Sequence, residues 1–399
     1  MLPEGWKHTT FEDHIDLLSG NPFKSAEYSN DPTDIRLLRG DNIEPGKLRW
    51  RDAKFWPTDR IHNLTRYSLQ QGDFVIAMDR TWVSSGLKVA EVRSADLPCL
   101  LVQRVSRIRA LPTLCQSLLK QYFSGHSFEN YVKSVETETA VPHISAQQIK
   151  DFPFLLPPLP EQKKIAAILS TWDRAIEGTE KLLANSQQQK KALMQQLLTG
   201  KKRLPGFTGE WKSLKLKTFL QESIIPSPQP DPKKRITVRL SLNGVEKREV
   251  RGTESIDATN YFTRKAGQFI YGKQNIHKGA FGIIPKILDG FETSQDIPCF
   301  DFLPNACSAW LFYYLARENI HNTLETKMTG TGSKRLNQKT FLNLTCLAPP
   351  LSEQKAIAAV LTTADEEITA LESDLSRLRQ EKKALMQQLL TGKRRVTVD

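Results

Sequence analysis

Two stretches of the chain repeat apolar residues at alternating spacings of three and four positions. In the first stretch the apolar positions are Ile165, Leu169, Trp172, Ile176, Leu183, Leu193 and Leu197. In the second they are Ile357, Leu361, Ile368, Leu371, Leu375, Leu378, Leu385 and Leu389. A 3.5-residue period sustained for about five heptads predicts two long helices that pair as a coiled coil through this apolar seam. Docking of each helix on its own domain is the alternative, and the matched lengths of the two patterns favour mutual pairing.

The two predicted helices also share an identical string. Residues 190–201 read KKALMQQLLTGK, and residues 382–393 repeat this string without a change. Upstream, PPLPEQK at 157–163 matches PPLSEQK at 349–355 at the same offset. Proline or serine followed by glutamate at the start, and glycine near the end, are residue types that helix termini favour. One helical unit is therefore duplicated, which indicates two halves related by a pseudo-two-fold axis.

The segments outside these helices follow a different pattern. Short apolar runs, such as residues 74–78 and 269–271, alternate with glycine and proline, and each segment contains one helix-like run, at 114–123 or 306–320. This pattern predicts α+β domains. We therefore expect a first globular domain at 1–156, a helix at 157–202, a second globular domain at 203–348, a helix at 349–395 and a tail at 396–399.

The two globular segments are distant copies of each other. Residues 71–76 resemble residues 266–271, and residues 97–100 resemble residues 297–300. The helices are nearly identical between the two halves, whereas the globular segments differ strongly. We interpret this contrast as one shared partner for the helices and different ligands for the two domains.

The composition adds an electrostatic preference. A formal net charge of +12 over 399 residues favours an anionic partner such as nucleic acid, with a solubilising basic surface as the alternative. The five cysteines form no CxxC pair, so we expect neither a zinc site nor a disulfide framework, and their scatter fits a reducing cytoplasm. No window reaches the ~20 apolar residues of a membrane span, and the N-terminal residues do not resemble a signal peptide.

The sequence contains no convincing catalytic motif. Residues 267–274 approach a Walker A loop but end in glutamine, where serine or threonine is required. The Pro-Pro pairs lack the preceding asparagine or aspartate of an amino-methyltransferase, and residues 246–248 carry arginine where a metal-dependent nuclease needs lysine. The seven histidines show no metal-ligand spacing. We therefore expect no catalytic centre and no metal, with a single-chain enzyme of unrecognised motif as the alternative.

Basic and polar residues cluster on predicted turns of both globular segments. In the first segment they are Arg80, Trp82 and Lys88, after the strand predicted at residue 74. In the second they are Lys273, Asn275, His277 and Lys278, after the corresponding strand at residue 269, and Ser333, Lys334 and Arg335 in a glycine-containing loop. Arginine and lysine position phosphates, and arginine and asparagine read base edges. These residues are our candidates for DNA contact, with a solvated turn as the alternative for each.

On these strings, the chain resembles the specificity subunit of type I restriction–modification enzymes. The resemblance rests on PPLxEQKxI at 157–165 and 349–357, on LLTGK at 197–201 and 389–393, and on the domain–helix–domain–helix order. It implies two target-recognition domains on double-stranded DNA, joined by two helices that pair antiparallel as a spacer. It also implies two docked methyltransferase subunits and additional restriction and motor subunits. S-adenosylmethionine, ATP and Mg²⁺ would then belong to those partners.

The predicted function is recognition of a bipartite DNA target, one half-site per domain, by a non-catalytic cytoplasmic subunit that recruits adenine methyltransferase and restriction subunits. Antiparallel helices would separate the two half-sites by about one helical turn of DNA, ~34 Å. A coiled-coil scaffold that binds proteins and no specific DNA sequence is the alternative. The resemblance identifies no base-contacting residue, so the candidates on the loops rest on their chemistry.

Overall fold

The computed structural model describes residues 2–137, 140–250, 259–330 and 333–398. The chain divides into two compact units. The first unit contains Met1–Glu180 and Asp374–Asp399, and the second contains Lys181–Ser373. Each unit therefore consists of one globular segment together with part of each long helix.

The first unit combines short strands with helices. Its strands are β1 (Lys7–Thr10), β2 (Ile15–Ser19), β3 (Ile35–Leu38), β4 (Ile43–Glu44), β5 (Lys47–Leu48), β6 (Lys54–Trp56), β7 (Phe74–Ala77), β8 (Trp82–Val83), β9 (Gly86–Leu87), β10 (Val89–Glu91), β11 (Cys99–Leu101), β12 (Val105–Ala110) and β13 (Pro153–Leu156). Its helices are α1 (Gln116–Phe123), α2 (His126–Val135), α3 (Ala146–Lys150) and the beginning of α4 (Leu159–Leu197).

Strand β7 is the centre of the first unit because it is buried on both faces. It lies in an antiparallel sheet of order β10-β7-β12-β2. Phe74 and Ile76 join the core formed with α1, α2 and α4, whereas Val75 and Ala77 join a second core with β3 and β11. Side chains alternate between the two faces of an extended strand, which produces these two contacts. A continuous apolar run is the pattern expected for a strand covered on both sides.

The second unit repeats this architecture. Its strands are β14 (Lys212–Lys215), β15 (Leu220–Ser223), β16 (Ile236–Val238), β17 (Val245–Lys247), β18 (Tyr261–Thr263), β19 (Phe269–Tyr271), β20 (Phe281–Ile283), β21 (Glu292–Ser294), β22 (Cys299–Phe302) and β23 (Thr345–Ala348). Its helices are α5 (Ser308–Leu315), α6 (Glu318–Thr326), α7 (Gln338–Leu342) and the beginning of α8 (Leu351–Leu389). Strand β19 takes the place of β7, in a sheet of order β20-β19-β22-β15.

The repeat has a fixed register in its helical part. Helices α1, α2, α3 and α4 and strand β13 each begin 192 residues before α5, α6, α7, α8 and β23. The terminal strands also match, since β1 pairs antiparallel with β13 and β14 pairs antiparallel with β23. The predicted α+β fold, with two repeated domains and two long helices, is therefore confirmed.

One predicted correspondence between the globular segments is wrong. Cys99 begins β11, which runs parallel to β3, whereas Cys299 begins β22, which runs antiparallel to β15 and β19. By topology the partner of β22 is β12, so residues 97–100 and 297–300 occupy different strands. The two segments share a short local sequence. Their positions in the sheets differ because each strand pairs with different, distant strands.

The two long helices run antiparallel within the first unit. Asp173 of α4 forms an ion pair with Lys382 of α8, with 2.6 Å between Oδ1 and Nζ. Glu180, about two turns further along α4, pairs with Arg379 at 2.7 Å. Residue numbers rise on one helix while they fall on the other, which defines antiparallel pairing.

The same pairing is found within the second unit. Ser186 of α4 donates a hydrogen bond to Glu367 of α8 at 2.8 Å, and Lys190 forms an ion pair with Asp365. Lys190 and Asp365 occupy the repeat positions of Lys382 and Asp173. A single polar pair therefore occurs twice in the seam, once in each unit.

The predicted seam residues are buried or half-buried along both helices. At the helix ends they pack into the domain cores, where Ile165 and Leu169 join Leu389, and Ile357 and Leu361 join Leu197. The helices therefore pair with each other and also dock on the globular domains. Mutual pairing and docking on a domain, the two interpretations of the apolar pattern, both occur.

The start of α4 and the segment after α8 meet at a buried carboxylate in the first unit. Glu161, at the start of α4, accepts a hydrogen bond from the indole of Trp6 at 3.2 Å and forms an ion pair with Arg395, just beyond α8. Gly392 turns the chain after α8 with φ of +67°, and a Cβ at this position would lie 2.7 Å from Cγ of Pro3. Glycine is required here for its backbone conformation and for the close approach of the chain.

The second unit repeats this arrangement with the roles of the helices exchanged. Glu353, at the start of α8, accepts hydrogen bonds from Trp211 at 3.1 Å and from Arg203 at 2.5 and 2.7 Å. The Glu353 side chain is 1% exposed, so its charge needs these partners. Each string that opens one helix is thus bound by residues that follow the other helix.

The glutamine of the PPLxEQ string joins each helix to its domain. The Oε1 atom of Gln162 accepts the backbone N–H of Cys115 at 2.8 Å, and Nε2 donates to the carbonyl oxygens of Thr113 and Pro157 at 3.0 and 2.9 Å. Gln354 makes the equivalent bonds in the second unit. The side chain satisfies the backbone N–H immediately before α1, which otherwise lacks a partner within the helix.

We expect Gln162→Met to lower the free energy of unfolding by about 3 kcal/mol, because the isosteric side chain leaves one backbone donor and two carbonyls without these bonds. The measurement is the urea midpoint. Gln188→Met is the matched control, since Gln188 is exposed on the same helix. Its effect should stay within about 0.5 kcal/mol. Equal effects of the two substitutions would contradict this role for Gln162.

Candidate functional site

A groove of about 940 Å³ opens at the ends of three strands in the first unit. Strands β3 and β11 are parallel, with Leu38 opposite Leu101, so their carboxyl ends open on the same edge. The groove is lined by the residues that follow these strands and β7, at 39–41, 79–80 and 102–104. Loops at the carboxyl ends of parallel strands converge for this geometrical reason.

The groove carries an excess of positive charge. Its basic residues are Arg39, Lys54, Arg80, Lys88 and Arg104, and its acidic residues are Asp41 and Asp79. Arg39 pairs with Asp41 at 3.2 Å, and Asp79 is held by Arg104 at 3.3 Å and by the His143 ring at 2.6 Å. Both carboxylates are therefore engaged, which leaves a net positive surface for an anion.

Lys88 is a half-buried cation of this groove. Burial lowers the pKa of its ammonium group, and nearby Arg80 acts in the same direction, while Asp41 opposes the shift. Among the described residues, no carboxylate forms an ion pair with Lys88. A cation held without a partner in a partly buried position is costly to the fold, and such groups are frequent at functional sites.

Two arginines of the groove adopt a strained backbone conformation. Arg80 has φ of +46° and Arg104 has φ of +67°. Left-handed conformations are uncommon for residues other than glycine, asparagine and aspartate, and such strain concentrates at binding sites. Both guanidinium groups are exposed. The fold therefore holds two arginines in an unfavourable conformation at the same groove.

The structure brings Arg80 and Lys88 together at this groove but leaves Trp82 out. Trp82 packs against the helical core, and the ammonium of Lys133 lies 3.5 Å from its ring centroid. Arg39, Lys54 and Arg104 were not predicted. Arg39 and Arg104 follow apolar strand runs, as Arg80 does, so the same rule could have identified them.

A second cluster of loops lies at the equivalent end of β19 in the second unit. Arg335 pairs with Asp296 at 3.0 Å, and the backbone N–H of Lys273 donates to the Asp296 carbonyl, also at 3.0 Å. Burial lowers the pKa of Lys273, and Asp296 partly offsets the shift. Lys273 and Arg335 are thus adjacent, as a shared interface requires.

The remaining candidates of the second unit separate into two groups. Ser333 and Lys334 are exposed beside Arg335, while residues 331–332 of that loop lie outside the described residues. Lys278 is exposed, whereas the turn at 276–278 packs against α6. His277 faces His321 there, and its Nδ1 atom is buried without a hydrogen-bond partner within the described part of the chain.

Asn275 occupies the N-cap position of the 3₁₀ turn at 276–278, and its side chain makes no capping hydrogen bond. An asparagine at this position normally accepts a backbone N–H. The amide is half-buried and retains both its donor and its acceptor for another partner.

Neither a metal-binding cluster nor a membrane-spanning helix occurs within the described ranges. No group of three or more His, Cys, Asp or Glu side chains in those ranges could hold a metal ion. No helix within them is long and apolar enough to cross a membrane.

The two units therefore present different polar loops at the ends of equivalent strands, β7 and β19. A model of the family described as the type I restriction modification DNA specificity domain matches residues 3–186 and 233–378. These ranges cover most of the chain. The chain belongs to this family.

Individual relatives match parts of the chain. Over 182 residues it is 35% identical to the type I restriction enzyme EcoAI specificity subunit of Escherichia coli, which covers 45% of this chain and 30% of that protein. Over 204 residues it is 29% identical to the MjaVIII specificity subunit of Methanocaldococcus jannaschii, covering 51% of this chain and 48% of that protein. The matched part is less than half the length of either relative.

A solved structure resembles the chain over nearly its full length. The type I restriction–modification S subunit from M. genitalium matches with a TM-score of 0.61 and 12% identity, covering 96% of each chain. At this identity the likeness concerns the fold.

We expect Lys88→Met to raise the urea midpoint at pH 7, because it removes a charge that is protonated and partly desolvated in the folded state. The pKa of Lys88 is lower in the folded state than its ordinary value of 10.5. The penalty is therefore complete below the folded-state pKa and declines as the pH rises from that value towards 10.5. The midpoints of wild type and variant should converge over that interval.

Lys7→Met is the control for this measurement, since Lys7 is exposed on β1 outside the groove. Its midpoint should stay close to that of the wild type at every pH. A lower midpoint for Lys88→Met at pH 7 would show that Lys88 stabilises the fold, contrary to the desolvation argument.

Proposed function

We propose that this chain is the DNA-recognition subunit of a type I restriction–modification complex. Each globular domain reads one half-site of a bipartite double-stranded target, with domains at 1–156 and 203–348 and helical spacers at 157–202 and 349–395. The observation that carries the proposal is the pair of basic loop clusters, built at equivalent strand ends from different residues. One scaffold with two different reading surfaces fits a target with two different halves.

The charges and side chains of these clusters suit DNA. The excess of cations in the first groove, together with the net charge of +12, favours contact with phosphates. Arginine, asparagine and glutamine side chains at the loop ends can pair with base edges in the major groove. The untouched bases between the half-sites form a spacer, whose length we attribute to the paired helices.

Catalysis belongs to the partners in this proposal. Adenine methyltransferase subunits supply the S-adenosylmethionine site, and restriction subunits supply the ATP- and Mg²⁺-dependent steps. The chain itself binds DNA and recruits these subunits, and it acts in the cytoplasm with them.

We expect replacement of residues 203–348 by the corresponding domain of another family member to change one half-site only. The physical reason is that each half-site is read by one domain, whereas the helix pair remains unaltered. The measurement is methylome sequencing of a host that expresses the chain together with methyltransferase subunits. The reciprocal replacement of residues 1–156 is the control and should change the other half-site.

Two results would contradict the proposal. Methylation motifs that do not depend on this chain would indicate a scaffold without sequence-specific DNA binding. Methylation by the purified chain alone would indicate an enzyme.

The identical strings also offer a place for two copies of one partner. Within the string at 190–201, the apolar positions pack into the second unit, whereas Lys191, Ala192, Gln195 and Gln196 are exposed. Their counterparts in the string at 382–393 are also exposed. These positions form one helix face, and internal packing does not account for their identity. We assign this face, present once in each unit, to two methyltransferase subunits.

We expect Lys191→Glu to remove one methyltransferase subunit from the assembled complex, and Lys191→Glu with Lys383→Glu to remove both. Reversal of charge in the centre of each face opposes docking, whereas the fold tolerates it because both lysines are exposed. Native mass spectrometry gives the stoichiometry. Lys286→Glu, at an exposed loop of the second unit, is the control. Two bound subunits in the double variant would contradict the assignment.

A further inference from the structure

Arg80 and Asn275 occupy the same position in the two domains. The carbonyl of Met78 accepts the backbone N–H of Ile144 at 2.9 Å, and the carbonyl of Lys273 accepts that of Leu336, also at 2.9 Å. Ile144 and Leu336 are separated by the same 192 residues as the helices around them. Met78 and Lys273 are therefore equivalent, and the residues two positions later are Arg80 and Asn275.

Both side chains project from this position without an internal partner among the described residues. Arg80 is exposed, and its φ of +46° is a conformation that asparagine or glycine would adopt at lower cost. Asn275 stands at an N-cap without capping it. The nearby carboxylates are already engaged, since Asp79 binds Arg104 and His143 and Asp296 binds Arg335. Internal stability therefore does not explain the choice of residue at either position.

The hydrogen-bonding groups of the two side chains differ. A guanidinium presents only donors, in a fork that matches the two acceptors N7 and O6 of guanine. A carboxamide presents one donor group and one acceptor, which match N7 and the N6 amino group of adenine. A guanidinium cannot pair with the lone amino donor of cytosine, which requires an acceptor, and a carboxamide paired there would leave its own donor unused.

We propose that this shared position reads a guanine in the half-site of the first domain, through Arg80, and an adenine in the half-site of the second domain, through Asn275. The proposal rests on the proposed function and specifies it. At one equivalent base pair the two half-sites would then differ because the first domain has Arg80 where the second has Asn275.

The test exchanges the two readers in the full chain, expressed with methyltransferase subunits and analysed by methylome sequencing. Arg80→Asn suits the left-handed backbone, so the fold should persist. It should convert one guanine of the first half-site to adenine or relax it, with a loss of preference of roughly 5- to 150-fold. Asn275→Arg should act in the same way on one adenine of the second half-site, in favour of guanine.

The controls are Arg51→Asn and Asn305→Arg, which make the same exchanges at exposed positions away from both clusters and should leave the motif unchanged. Asn275→Ala should relax the same adenine without a new preference, which guards against misfolding of the arginine variant. The proposal is overturned if Arg80→Asn or Asn275→Ala leaves its half-site unchanged, or alters a base other than guanine or adenine respectively. A wild-type chain that defines no bipartite motif would instead refute the proposed function.

Discussion

The buried carboxylate at the start of each long helix is the interaction on which the rest of the structure depends. Glu161 and Glu353 lie where a helix begins, and each is neutralised by an arginine that follows the other helix. A buried charge without its partner is strongly unfavourable, so both helices must be present and antiparallel before either end is satisfied. The same carboxylate–arginine contact is made once in each half, at Glu161 with Arg395 and at Glu353 with Arg203.

A polar contact between the helix pair and each globular domain is the same on the helix side and different on the domain side. Asp173 and Asp365 each use one oxygen for the lysine of the partner helix and the other for a residue of the globular domain. That residue is Gln121 in one domain and Tyr313 at the same repeat position in the other. The helical side of the contact is thus fixed, whereas the domain side has changed. The two halves of the chain therefore begin to differ in sequence where the helix pair contacts the globular domains.

Sequence periodicity was sufficient for the helices, the α+β class and the duplicated architecture, because these depend on local pattern and on identity over long strings. Sequence periodicity did not predict which residues line the basic groove of the first unit. The parallel pairing of β3 with β11 joins residues about sixty positions apart, and only that pairing brings Arg39 and Arg104 beside Arg80. Trp82 and His277 lie on predicted turns and have side chains suited to DNA contact, but tertiary packing directs both towards helical layers. Local pattern cannot show which face of a turn meets the core.

The burial of the central strands explains how the two domains can differ at a strand end while they keep the same fold. Strands β7 and β19 are covered on both faces, so their residues are constrained by packing on each side. The side chains of Arg80 and Asn275, which follow these strands, make no hydrogen bond or ion pair with the described residues, so substitutions there cost the fold little. A rigid strand followed by such a position fixes where a side chain stands while leaving its identity free, which is the property that the proposed reading of two half-sites needs. The two domains of this chain differ in that way, with arginine at one strand end and asparagine at the other.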